Sequence, residues 1–281
     1  MAAGDVITII ESPISRKGNY LDGTDDYVLH DAHAVARVAA NDTVGTYTAW
    51  IYADDIKTLQ TILSAGDANT TNETLEFQIN AAGELRVFLK HSSGTTQFDI
   101  TQTVATMVSR RWYHVAVVQD GTQPLLYING INVAATNDTS TDLTFWYDEL
   151  TLTDVFAIGV TITNGTFLND FTGAIGQVKY WSTNLSAEEI RVEANDHLSH
   201  PTERQTVLDA ALQFNVTMAD DGTTDAGLGL DNGTLTGNAH YGGEISTWSR
   251  TVERNSSGHA AEFITTFERG DKFVSIIKRG D

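Results

Sequence analysis

The chain has 281 residues, a length that suits one large β domain or two small ones. It carries 37 acidic side chains against 17 Lys plus Arg, a net charge of −20, which argues against nucleic acid and anionic membranes as partners because both would repel it. The absence of cysteine excludes disulfides and thiolate metal sites, and no apolar run approaches the roughly 18 residues that cross a bilayer.

From the N-terminus, "MAAGDVITIIESP" lacks the basic start and long apolar core of a signal peptide. "NYLDGTDDYVL" (19–29) sets Asp22, Asp25 and Asp26 within an apolar run, with Asp22-Gly23 as a turn corner. Strand patterns follow in "TYTAWIYA" (46–53), "TLEFQIN" (74–80), "ELRVFLK" (84–90), "WYHVAVVQ" (112–119) and "PLLYING" (124–130). Trp112, Val115 and Val117 are expected to plug the core, and Asn129-Gly130 to form a tight hairpin turn because both residues tolerate positive φ. "TDLTFWYDEL" (141–150) carries three consecutive aromatics. One helix is expected, in "STNLSAEEIRVEANDHLS", capped by Ser186 with Glu189 completing a capping box. The tail reads as a hairpin, "EFITTFE" and "KFVSIIK" joined by Arg269-Gly270-Asp271. Many short strands with one short helix predict an all-β sandwich or jelly roll.

Four of these stretches carry a family resemblance. "GNYLDGTDDYV" resembles the opening strand of laminin G-like, concanavalin A-like jelly rolls. "RWYHVAVVQDGTQPLLYINGINV" (111–133) is similar to their central hairpin, and "FAIGV…FTGAIGQVKYWSTNLSAEEI" (156–190) to their closing segment. "ALQFNVTMADDGTTDAGLGLDNGTLTGNAHYG" (211–242) resembles a further strand and loop. The resemblance implies a concanavalin A-like jelly-roll sandwich over residues 19–245. Residues 1–18 and 246–281 then stand outside it as extended N- and C-terminal β arms, expected to dock on a neighbouring subunit or larger assembly by strand addition.

No pair of carboxylates has the strand spacing of a glycoside hydrolase, and no Gly-x-Ser-x-Gly, Walker or zinc-protease string occurs. No catalytic residue is therefore assigned. Phe145, Trp146 and Tyr147 are candidates for stacking on a sugar or anchoring an interface, since consecutive strand residues face opposite ways. Relatives of the fold bind calcium at one rim. A single structural calcium is expected here, with Asp25, Asp26, Asp67 and Asn69 as candidate oxygen donors. Nine Asn-x-Ser/Thr strings begin at Asn41, Asn69, Asn72, Asn137, Asn164, Asn184, Asn215, Asn232 and Asn255. They read either as N-glycosylation acceptors or as turn chemistry.

Asp outnumbers Glu by 24 to 13 and only six basic residues are Lys, a balance that resembles proteins of very salty cytoplasm. Resemblance, composition and arms together lead to one expectation: a non-enzymatic surface protein of a tailed virus of a halophilic host. It would be a capsid decoration, turret or tail-fibre component. Its partners would be other virion proteins, further copies of itself and a cell-surface glycan, without nucleic acid or membrane insertion. The alternatives are a cellular carbohydrate-binding module or adhesin, placed extracellularly or at the cell surface, and a glycan-cleaving enzyme on the same fold.

Overall fold

A computed structural model describes residues 15–91, 94–195, 200–216, 233–236, 240–246, 252–254, 260–267 and 273–277. In chain order the elements are β1 (Ser15–Asp22), β2 (Tyr27–Leu29), α1 (Asp31–Ala40), β3 (Gly45–Ala53), β4 (Gln60–Gly66), β5 (Thr74–Ile79) and β6 (Leu85–His91). Next come β7 (Thr95–Gln102), β8 (Trp112–Gln119), β9 (Pro124–Ile128), β10 (Ile131–Asn132), β11 (Ala135–Ser140), β12 (Val155–Ile158), β13 (Thr161–Thr163), β14 (Thr166–Leu168) and β15 (Thr172–Trp181). The last are α2 (Ala187–Glu193), α3 (Thr202–Ala211), β16 (Leu212–Val216), β17 (Thr234–Thr236), β18 (His240–Ser246), β19 (Val252–Arg254), β20 (Ala260–Phe267) and β21 (Phe273–Ile277).

Two compact units share the chain: residues 17–242, and residues 1–16 with 243–281. The larger is an antiparallel sandwich with the jelly-roll character that the alternating strands predict. One sheet runs β10-β9-β8-β3-β15-β1, with β16 also paired to β15, and the other runs β11-β7-β6-β5-β4-β12-β2-β17. Alternate residues face the space between the sheets. Tyr47, Ala49 and Ile51 of β3 and Val115 and Val117 of β8 meet Leu75, Phe77 and Ile79 of β5 and Leu85, Val87 and Leu89 of β6, all buried in one cluster. In the smaller unit β20 pairs antiparallel with β21, from Phe263↔Ile277 to Phe267↔Phe273, and β19 pairs with the other side of β20. The run 4–10, within the expected N-terminal arm, lies outside the described residues.

The β9–β10 hairpin turns where the sequence places it. Asn129 (φ 50°) and Gly130 (φ 79°) both occupy the left-handed region. The capping box of α2 is present, Ser186 accepting from the Glu189 N–H while Glu189 accepts from the Ser186 N–H. One expectation needs correction. Among the described residues three helices stand where one was expected, and α1 and α3 carry neither a side-chain cap nor a long apolar stripe to announce them. Trp112 is buried as expected, though not on the face of β8 that Val115 and Val117 share. Three positions separate it from Val115, so it falls on the opposite face of β8, against Tyr52 with ring centroids 5.6 Å apart.

Candidate functional site

The outer face of the second sheet gathers a continuous set of polar side chains. Because Leu75, Phe77 and Ile79 of β5 point inward, Thr74, Glu76 and Gln78 point out. By the same alternation β6 turns out Arg86, Phe88 and Lys90, and β7 turns out Asp99 and Thr101. The register aligns them in rows, with Gln78 opposite Arg86, Glu76 opposite Phe88, and Phe88 opposite Asp99.

Hydrogen bonds tie the rows together. Arg86 donates through Nε and Nη2 to the two oxygens of Asp99, both at 2.7 Å, and through Nη1 to Gln78 Oε1 at 2.7 Å. Gln78 Nε2 donates to Glu76 Oε2 (2.6 Å) and to Thr61 Oγ1 (3.3 Å). Thr74 Oγ1 donates to Glu76 Oε1 (3.2 Å), and Thr61 Oγ1 meets Thr161 Oγ1 at 2.8 Å. Burial pushes the Glu76 carboxyl up from its usual range, against the opposing pull of the Thr74 bond, Arg86, Lys90 and Gln78. Phe88 lies among these groups with the Arg86 guanidinium 4.9 Å and the Lys90 ammonium 5.8 Å from its ring centroid. The β13–β14 hairpin borders the face on the β4 side, where Ser64 Oγ donates to the Val160 carbonyl (2.8 Å). Phe167 on that hairpin is half-exposed and stacks on Tyr27, centroids 5.0 Å apart. The face is a pre-ordered set of polar groups around one aromatic ring, with Glu76, Arg86, Phe88, Lys90 and Asp99 partly exposed above the buried Thr61, Thr74 and Gln78, which suits a ligand with hydroxyl edges and an apolar flank.

The aromatic triplet of the sequence stands elsewhere. Trp146 and Tyr147 have no solvent exposure, so neither can stack on a ligand. Residues 141–150 form turns and bends, which removes the strand alternation that would have turned one ring outward. Trp146 Nε1 donates to Tyr180 Oη (3.2 Å), and Tyr147 Oη lies 2.6 Å from Tyr47 Oη in a buried network that reaches His33. Phe145 is partly buried against the core, edge-on to His91.

Asp22, Asp25 and Asp26 each bring a carboxylate oxygen to within 4.8 Å of the others. Asp26 is buried and accepts from the Asp22 N–H (2.8 Å), while Asp22 accepts from the Thr24 N–H (2.9 Å). Burial raises the nearby Asp170 carboxyl, with the charges of Asp25, Asp22 and Asp26 adding to the rise. Asp67 is buried and closes its own turn, accepting from the Asn69 N–H (2.7 Å) and the Thr70 hydroxyl (2.8 Å), with Asn69 exposed beside it. Glu73 has no signature in the sequence. It is fully buried and accepts from the Thr151 and Leu152 N–H groups and from the hydroxyls of Thr151 and Thr153.

Among the Asn-x-Ser/Thr strings, Asn41, Asn69, Asn137, Asn164 and Asn184 are exposed and Asn72 and Asn215 are half-buried. Asn232 and Asn255 lie outside the described residues. No helix among the described residues is long and apolar enough to cross a membrane.

A family model described as the concanavalin A-like lectin/glucanases superfamily matches residues 22–191, more than half of the chain. No curated protein sequence matches the chain. Among solved structures, the CBM40 of the Ruminococcus gnavus IT-sialidase superposes with a TM-score of 0.54 at 19% identity, covering 65% of this chain and 98% of that one. The same module bound to α2,3-sialyllactose gives 0.52. A leech intramolecular trans-sialidase gives 0.50 at 21% identity, over 68% of this chain and 28% of the other.

Proposed function

The chain belongs to the concanavalin A-like lectin/glucanases superfamily, and from that premise we propose that it is a non-catalytic glycan-binding protein whose ligand lies on the outer face of β5, β6 and β7. The observation that carries this reading is the partly exposed row Glu76–Phe88–Asp99 with Arg86 and Lys90, held from beneath by the buried Thr61 and Gln78. A sugar offers an apolar C–H flank to an aromatic ring and hydroxyls to polar neighbours, and groups already held in place lose little freedom on binding it. The likeness to a carbohydrate-binding module, solved with sialyllactose, supports the reading.

The engagement of the acids on this face supports binding without turnover. Glycoside cleavage needs one carboxyl to give a proton and a second to attack or to activate water. On this face both oxygens of Asp99 accept from Arg86, and both oxygens of Glu76 accept from Thr74 and Gln78. The full-length chain on a glycan array, paired with a reducing-sugar assay on the bound glycans, tests both halves. Retention without release is the expected result. Release that disappears in Glu76→Gln would establish the glycan-cleaving alternative.

The oxygen donors of Asp22, Asp25 and Asp26 suit calcium, a hard cation. A single calcium there would brace the turn between β1 and β2. Asp67 with Asn69 is the weaker candidate, because Asp67 already serves its own turn. Calcium is expected to raise Tm in the wild type and not in Asp25→Asn; equal shifts in both proteins would remove the site.

The finer reading keeps the protein on a virion surface, as a homo-oligomer held by arms from residues 1–18 and 246–281. Support for it comes from the acidic, cysteine-free composition and from the β19-β20-β21 sheet that stands apart from the sandwich unit. Mass spectrometry of purified virions and of cell-surface fractions separates this placement from a cellular adhesin. Recovery only from the cell surface would contradict it.

A further inference from the structure

We infer that the protein carries N-linked glycans at Asn41, Asn69, Asn137 and Asn164. Two independent observations lead there. Nine of the 16 Asn residues are followed two positions on by Ser or Thr, whereas those residues make up about a fifth of the chain, so about three such strings are expected by chance. Turn chemistry accounts for Asn at a corner. It makes no demand on the hydroxyl residue two positions later.

The second observation is where the fold puts them. Asn41 ends α1 in the left-handed region, exposed, with Thr43 exposed beyond it. Asn164 sits at the tip of the β13–β14 hairpin with Thr166 exposed, and Asn69 with Thr71 lies on the neighbouring loop. The two meet through the Asn164 N–H, which donates to the Asp67 carbonyl at 2.9 Å. Asn137 is exposed on edge strand β11. Its register partner is Ile100, a core-facing residue, so Asn137 points away from the outer face that carries Phe88. An edge strand is an open template for pairing, and a glycan on Asn137 would cover it.

In each of the remaining described strings a residue is engaged in the fold. Thr74, the hydroxyl residue for Asn72, is buried and bonded to Glu76. Asn215 lies in β16, paired with Lys179, and is followed by buried Val216. The Ser186 hydroxyl, which completes the Asn184 string, is spent on the α2 cap.

The reaction is transfer from a lipid-phosphate-linked oligosaccharide, the activated donor class this bond requires. The Asn Nδ2 forms a bond to the sugar's C1 as the C1–O bond to phosphate breaks. The lipid phosphate leaves with the electron pair, and the amide proton passes to a base. No oxidation or reduction is involved.

Peptide mapping by mass spectrometry of the full chain, purified from the cells that make it, tests the assignment. Sugar mass is expected on Asn41, Asn69, Asn137 and Asn164, and none on Asn72, Asn184 or Asn215. The variants Thr43→Ala, Thr71→Ala, Thr139→Ala and Thr166→Ala each keep the Asn and are expected to lose sugar at that site alone. Unmodified peptides at all four positions, or sugar retained in the Thr→Ala variants, would overturn the proposal. Because the four positions lie off the proposed glycan-binding face, neither result bears on that reading.

Discussion

A carboxylate without solvent has to be answered by donors, and Glu73 has four of them: two backbone N–H groups and two hydroxyls from residues 151–153. It fastens the loop before β12 to the start of β5. Glu73→Gln keeps the shape but turns one acceptor oxygen into a donor that faces other donors. A loss of about 2 kcal/mol or more is expected, read by chemical denaturation; an unchanged midpoint would mean the loop is held by other contacts. None of this is legible in "TNETLEF", because the partners lie about 80 positions away. The aromatic triplet gives the reverse lesson. Three adjacent rings in a polar stretch look exposed, yet Trp146 and Tyr147 find buried hydroxyl partners in Tyr180 and Tyr47. Gly45 makes room for the first of these pairs, since a Cβ there would come within 2.4 Å of the Tyr180 oxygen and 2.7 Å of the Trp146 nitrogen.

Local signals gave the elements whose partners are near in sequence. The β8–β9 pair and the α2 cap were legible because turn chemistry and capping act within a few residues. The helices α1 and α3 were not, because their stability comes from what they pack against. The α2 cap also sets an acid limit. Burial tends to raise the Glu189 carboxyl, but its bonds to Arg204 and Ser186 outweigh that and hold it at about 2, below its ordinary 4.5. A depressed carboxyl stabilises the fold above its unfolded pKa and loses that contribution as pH falls through the folded one. The cap's contribution is thus complete above about pH 4.5 and fades toward pH 2. Acid titration of stability should show this limb in the wild type and not in Glu189→Gln. An identical limb in the variant would assign it to other carboxylates. Alternation along β5 and β6 told which residues share a face, yet the row Glu76–Phe88–Asp99 depended on a register that no single strand encodes.

At the scale of the molecule, a net charge of −20 puts like charges close together over much of the surface. Salt screens that repulsion within a Debye length of about 10 Å at 0.1 M and about 3 Å at 1 M. Melting temperature should therefore rise as sodium chloride is raised toward molar concentration. A fall across that range would mean that surface ion pairs outweigh the self-repulsion. The composition thus bears on solvent and partners, and the strand pattern on the sandwich. The proposed ligand face depends on the register of three strands. The most direct test of the account is a crystal structure of the full chain with a glycan selected from the array. A sugar ring is expected over Phe88, with its hydroxyls on Glu76, Asp99 and Lys90. A sugar bound instead at the rim, beside Asp22 and Asp25 or on the loop of Asp67, would contradict it.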